Sequence, residues 1–276
     1  VADLPITFID GNPTIPVSIQ GHQFNMIVDS GSDISYMSKH AYDVLNIHYS
    51  DHVEGGGVNG LGGTADIENY VLADLDFGGV HLHKQPFGVV AHYGAEEKSD
   101  GVIGYDILQL FEVGLDFPDK KITLYQRAQC QLTETPWVGD YAPVPYTRPQ
   151  NTSPVIPVSI DNQTVQLAVD TGAGSTIVFQ HSIDLLNVKP EALEPIKSNG
   201  HDFNGLKMSL THGEFNTITI GAESIPDDWI ILDETPNAEF NAINDGLLGR
   251  DYLATHRVFI ANSSHMVYLG LTVPGS

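Results

Sequence analysis

Short runs of alternating apolar and polar positions, rich in β-branched residues, recur along the chain. Thr14 to Ile19, Phe24 to Val28, Tyr70 to Phe77 and Ile122 to Tyr125 have the period of half-buried strands. Gln20-Gly21 and Asp161-Asn162 fall between matched runs, where Gly and Asn accept the positive φ that a tight hairpin needs. Two stretches leave the period of two. Ser38 to Ile47 and Gln180 to Val188 space Ala41, Val44 and Leu45, and Ile183, Leu185 and Leu186, as helices do, with Ser38 as an N-cap. The pattern predicts an all-β protein in the broad sense, mainly strands with short helices.

The pattern also occurs twice. Ile15-Pro-Val-Ser-Ile19, Met26-Ile-Val-Asp-Ser-Gly31 and Asp43-Val-Leu-Asn-Ile47 return 141 residues later as Ile156-Pro-Val-Ser-Ile160, Leu167-Ala-Val-Asp-Thr-Gly172 and Asp184-Leu-Leu-Asn-Val188. Asp100-Gly-Val-Ile-Gly104 returns 145 residues later as Asp245-Gly-Leu-Leu-Gly249. Two halves are therefore expected, residues 1–128 and 154–276, each with its own core. Between them, 129–153 carries Pro136, Pro143, Pro145 and Pro149 and reads as an extended, stiff linker. Trp137, Tyr141 and Tyr146 suggest that it packs on the body of the protein.

Composition narrows the partners. Thirty-five acids against 12 Lys and Arg give a net charge of −23 over 276 residues, which argues against nucleic acid and anionic membranes. A single cysteine, Cys130, excludes an internal disulfide and a cysteine-based metal cluster, and no apolar run reaches membrane-spanning length. Twelve histidines, His81-Leu-His83 among them, lack a third-ligand pattern, so no metal and no cofactor are expected. Asn151, Asn162 and Asn262 begin short glycosylation-type motifs.

Candidate chemistry lies in Val28-Asp29-Ser30-Gly31 and Val169-Asp170-Thr171-Gly172. An apolar strand would deliver each carboxylate, the hydroxyl could bond across to the partner turn, and Gly would let amides approach the carboxylate. One such turn is common; two in register within a repeat point to a paired-carboxylate site. Val102-Ile103-Gly104 and Leu247-Leu248-Gly249 follow their aspartates at similar distance and read as strands bracing those turns from behind.

These motifs resemble clan AA aspartic peptidases of the retropepsin-like kind, with two repeats fused in one chain as in pepsin-like enzymes. The resemblance implies two pseudo-symmetric retropepsin-like acid protease half-domains with the active site between them. It implies Asp29 and Asp170 as catalytic residues, supported by Ser30, Gly31, Thr171 and Gly172. The glycine-rich stretch Glu54 to Gly63 matches the position of the family's flap, with Gly56, Gly57, Val58, Gly60 and Leu61 as candidates. Its counterpart, Lys197 to Leu206, has fewer glycines and is expected to be stiffer. A phosphate-cradling loop is the rival for the first stretch, but neither a Lys-Ser/Thr nor a following helix appears. Asp33 occupies a position that often makes structural salt bridges in the family, whereas the second half has Gly174 there, so the surroundings of the pair are not expected to be symmetric.

Two carboxylates ~3 Å apart at an effective dielectric near 20 repel by roughly 5 to 6 kcal/mol, about 4 pKa units, so they should share one proton. One ionised acid would take a proton from water while its protonated partner donates to the scissile carbonyl. The expected partner is a peptide or protein substrate in extended conformation, bound by a monomer. The alternative is a non-catalytic peptide- or protein-binding module that keeps this fold; two adjacent buried acids, costly without a use, count against it. Tyr36 is read equally as a subsite wall or as core packing.

Overall fold

A computed structural model of the chain describes residues 1–47, 57–60, 63–90, 98–126, 135–186, 193–196, 209–234 and 243–270. The described residues form sheets of eight, seven and six strands with a few short helices. The alternation of the sequence is legible in the burial of each strand. In His22–Val28 and Gln163–Val169 the same positions are buried, ending in three consecutive buried residues that lead to each aspartate.

The two halves repeat one topology. In the first, Asn12–Ile19 and His22–Val28 form a hairpin whose turn places Gln20 and Gly21 at φ 49° and 82°. In the second, Val155–Ile160 and Gln163–Val169 do the same through Asp161 and Asn162 at φ 45° and 68°. Each second strand pairs in parallel with a three-residue strand, Gly101–Ile103 or Gly246–Leu248, which in turn pairs with Tyr36–Ser38 or Ile177–Phe179. A long hairpin completes each sheet, Gly63–Phe77 with Val80–Val90 and Leu210–Ile220 with Glu223–Asp233, and folds back onto the first strand.

Short helices form at both predicted places, and Asn187 and Val188 at the end of the second lie outside the described residues. Lys39–Leu45 is capped as expected, Ser38 Oγ accepting from the Ala41 amide at 3.1 Å. In the second half, Gln180–Ile183 tightens into a 3-10 turn over Asp184–Leu186. Phe179 in the Ser38 position offers no side-chain cap, so the first turn gains no bond of that kind.

The six-stranded sheet belongs to both halves. Its strands run Ala2–Pro5, Lys121–Gln126, Phe111–Asp116, Arg257–Ala261, Met266–Gly270 and Tyr141–Pro145. At its centre the two repeats meet antiparallel, Leu115 opposite Val258 and Val113 opposite Ile260. Tyr141–Pro145, within the segment read as a linker, is an edge strand, which tolerates Pro143 and Pro145 because an edge has amides that need no partner. Trp137 stacks on Tyr141 at 6.0 Å and meets Phe259 edge-on, holding that segment against the sheet.

Asn262 ties these parts together. It is 3% exposed; its Oδ1 accepts from the hydroxyls of Tyr105 and Tyr146, and its Nδ2 donates to the Phe111 carbonyl at 2.6 Å. An amide so engaged is closed to glycosylation in the folded chain, whereas Asn162 stands exposed in its hairpin turn. Replacing Asn262 by Ala strips two tyrosine hydroxyls of an acceptor and a carbonyl of a donor in a buried site. A loss of ~3 kcal/mol is expected, measured as a lower urea midpoint at unchanged slope.

Candidate active site

Each aspartate stands just past the end of its strand, where the ladder continues for one more bond. The Asp29 amide donates to Ile103 O at 3.1 Å and the Asp170 amide to Leu248 O at 3.0 Å. The apolar-apolar-Gly strands therefore lie directly behind the two turns. Within each turn the carboxylate accepts two backbone amides. Asp29 Oδ1 takes those of Gly31 and Ser32 at 2.9 and 3.1 Å, and Asp170 Oδ1 those of Gly172 and Ala173 at 2.8 and 2.9 Å.

Ser30 and Thr171 bond across the halves reciprocally. Ser30 Oγ donates to Val169 O at 2.6 Å and accepts the Thr171 amide at 3.1 Å. Thr171 Oγ1 donates to Val28 O at 2.7 Å and accepts the Ser30 amide at 3.0 Å. Both side chains are fully buried. The two glycines permit the close approach that follows: a Cβ on Gly31 would overlap the Asp170 carboxylate, and one on Gly172 would overlap that of Asp29. The structure thus brings Asp29, Ser30, Gly31, Asp170, Thr171 and Gly172 into one cluster.

Asp29 and Asp170 are hydrogen-bonded to each other. Burial raises the pKa of Asp29 above the ordinary carboxylate value, opposed by the hydrogen bond from Asp170 and by the Gly31 and Ser32 amides. Asp170 is raised well above that value, first by burial and then by the charge of Asp29. Burial raises both acids and each feels its partner, so the two are set to share one proton, and its titration belongs to the pair.

The remaining candidates are distributed more widely. Gly57, Val58 and Gly60 lie on the strand Gly57–Gly60, which pairs antiparallel with Gly63–Asp66 at the start of the long hairpin. Gly56 and Leu61 lie outside the described residues, as does the counterpart stretch Lys197 to Leu206. Tyr36 is 5% exposed and packs with Ile27, Val90 and Val102, apart from the main core. His81 and His83 project on one hairpin strand and each faces a cross-strand acid, Asp76 at 2.7 Å and Asp74 at 3.6 Å.

Other groups support the turns, and of these Ser35, Asp106, Thr176, Asp251 and Arg250 were not singled out in the sequence. Ser35 Oγ donates to Asp106 and accepts the Gly104 amide, and Thr176 Oγ1 does the same with Asp251 and Gly249. Asp100 and Asp245 accept the amides of Asn25 and Gln166. All recur at the repeat's own spacing, which is the signal that could have found them. Arg250 has no such signal, because Tyr105 stands in its place in the first half. Its guanidinium donates to Thr171 O at 2.9 Å and Gly172 O at 2.5 Å, and its charge acts on both aspartates. In the first half the acid Asp33 accepts from the amide and hydroxyl of Ser153, in the field of Arg148, whose guanidinium lies over the Tyr105 ring.

Residues 15–107 match the family model described as aspartyl protease, and residues 156–255 match that of the gag-polyprotein putative aspartyl protease. Among solved structures, the aspartic proteinase from Irpex lacteus aligns over 98% of this chain and 97% of its own, with TM-score 0.64 and 12% identity. That likeness shows the fold. No curated protein matches the chain in sequence.

The crossed hydroxyls set a test of what joins the turns. Thr171→Val removes one donor and one acceptor from a buried site and is expected to cost ~2 to 4 kcal/mol in urea unfolding. Thr171→Ser keeps the hydroxyl and should recover most of that loss, since Ser30 already serves the matching position.

Proposed function

The chain carries two aspartyl protease family domains in tandem, and from that premise we propose that it is an aspartic endopeptidase acting through Asp29 and Asp170. The observation that carries the reading is the hydrogen-bonded pair of carboxylates, Asp170 buried and Asp29 partly so, each fed by backbone amides of its own turn. The substrate is a peptide in extended conformation, lying between the halves.

In this mechanism Asp29, ionised, accepts a proton from a water held between the two acids. Asp170, protonated, donates to the carbonyl oxygen of the scissile bond as the water oxygen adds to its carbon. The product of that step is a neutral tetrahedral diol, and no bond to the protein forms. Breakdown returns a proton to the leaving nitrogen and restores the pair. The amides of Gly31, Ser32, Gly172 and Ala173 keep both carboxylates fixed throughout, so little reorganisation is needed as charge moves.

The pair sets the pH dependence. Activity should fall at low pH as Asp29 becomes protonated and at high pH as Asp170 loses its proton. The optimum then lies between the two apparent pKa values, both above the ordinary 3.8. Hydrolysis of unfolded casein from pH 3 to 7 is expected to give such a bell. Asp29→Asn and Asp170→Asn should each lower it by ~10³-fold; substantial turnover in either variant defeats the two-carboxylate mechanism.

Asp170→Asn also has a stability signature. Because the folded-state pKa of Asp170 is raised, the native chain holds a proton that the unfolded chain releases. That contribution is fully present below the unfolded value near 3.8 and is lost as pH rises through the folded value. Asn cannot ionise, yet its amide can still donate to Asp29. The inactive variant should therefore melt above the wild type at pH 7 and close to it at pH 3.5; a variant equally destabilised at both pH values contradicts this assignment.

A further inference from the structure

The two halves differ most in how their cores are filled. Strand pairing sets the correspondence: Ser18 opposite Asp76 matches Ser159 opposite Thr219, and Tyr36 opposite Gly88 matches Ile177 opposite Ile231. By that register Phe77 and Phe87 of the first half correspond to Ile220 and Ile230 of the second, and by the 145-residue offset of the apolar-Gly motif Phe111 corresponds to His256. The three phenylalanines are fully buried, and Phe77 meets Phe111 edge-on at 6.1 Å. Where they fill space, the second half has smaller side chains and an open cavity of about 450 Å³.

The floor of this cavity is apolar, made by Val158, Ile218, Ile220, Ile225, Ile230 and Leu248. One side is polar and acidic. Glu223, which takes the place of Val80, accepts from the Tyr252 hydroxyl at 2.7 Å and is bonded to His256 Nε2 at 2.9 Å. Asp228 and Asp251 line the same space and take hydrogen bonds from neutral donors, the Trp229 amide and the amide and hydroxyl of Thr176. Among the described residues no lysine or arginine lines the cavity, where three carboxylates outnumber the one imidazole, and the Arg250 charge reaches Asp251 from outside the lining. Trp229, 41% exposed, also lines it and gives it an aromatic edge.

We propose that this cavity is a second binding site, distinct from the aspartate pair, for a small apolar molecule carrying one positive charge. Its volume is that of ordinary small-molecule sites, and a body of one aromatic ring or a short alkyl chain fits the isoleucine floor. The ammonium or equivalent cation would meet Asp228, Asp251 and the Glu223 side, where a neutral or anionic head gains nothing comparable. The site does not depend on the catalytic reading, since none of its lining residues belongs to the pair.

The test uses the full chain and isothermal titration with three probes of similar shape: 2-phenylethylamine, 2-phenylethanol and 3-phenylpropanoate. The amine is expected to bind saturably, one per chain, with Kd at least ~10-fold below that of the alcohol, and the carboxylate is expected not to bind. Ile230→Phe, which gives the second half the residue of the first, should abolish binding of the amine while casein hydrolysis is unchanged. Asp228→Asn, on the rim, should weaken the amine several-fold and leave the alcohol unaffected, and it serves if the filled variant does not fold. Absence of saturable amine binding, equal affinity for amine and alcohol, or undiminished binding in a folded Ile230→Phe variant each overturns the proposal.

Discussion

Two carboxylates that share a hydrogen bond in a buried place repel each other once both ionise, and nothing in their own chemistry keeps them together. What does so is the crossed pair of hydroxyls. Ser30 and Thr171 each donate to the carbonyl that precedes the opposite aspartate and accept the amide of the opposite turn, four bonds in a site closed to water. Separating the halves here would leave all of those groups without partners in an interior where each is costly. The shared six-stranded sheet works to the same end. It places the repeats antiparallel at Leu115 and Val258, so the approach of the two turns is set by backbone pairing as well as by side chains.

Around that symmetric centre the electrostatics are not symmetric. Arg250 directs its guanidinium to carbonyls of the second turn, beside Gly174, where the first half has the acid Asp33. The first half keeps its acid but has Tyr105 in the place of Arg250, and the cation arrives from Arg148 over the tyrosine ring. An acid and an arginine that could have served one half are thus divided between two. One consequence is a positive charge close to both aspartates, which opposes the rise in pKa that burial imposes on the pair. Burial still leaves both acids above the ordinary carboxylate value, and Asp170 bears the field of its partner as well.

Much of this was legible in the sequence because the repeat supplies its own control. A single Asp-Ser-Gly turn says little, but the same turn at one offset, with Val28 and Val169 before it, identifies a strand end and its partner. The hairpin turns at Gln20 and Asp161 were legible for a local reason, positive φ in a two-residue loop. The short helix after Phe179 was over-read. Periodicity at Ile183, Leu185 and Leu186 is apolar enough for a longer helix, yet Leu185 remains 54% exposed and the segment tightens to a 3-10 turn. Tyr141–Pro145 was hidden by its prolines, which signal a linker in a sequence and an edge strand in a sheet. Arg250 and the Asn262 network were not legible at all, since both depend on contacts between segments far apart in the chain.

The repeat also shows which parts of the fold resist change. Ser35 with Asp106 and Thr176 with Asp251 preserve one bonding scheme in both halves, as do Asp100 with Asn25 and Asp245 with Gln166. All of these fix the strands and loops that carry the aspartates, where a displacement of a fraction of an ångström would separate the carboxylates. The core behind them has gone its own way in each half, Phe77, Phe87 and Phe111 in one and Ile220, Ile230 and His256 in the other. A core tolerates exchanges of shape so long as enough apolar surface stays buried, whereas a hydrogen-bonded turn has a single geometry. The space opened in the second half therefore arose where the fold could accommodate it; of the acids that line it, Asp251 belongs to the shared bonding scheme, and Glu223 and Asp228 are the part that packing alone does not explain.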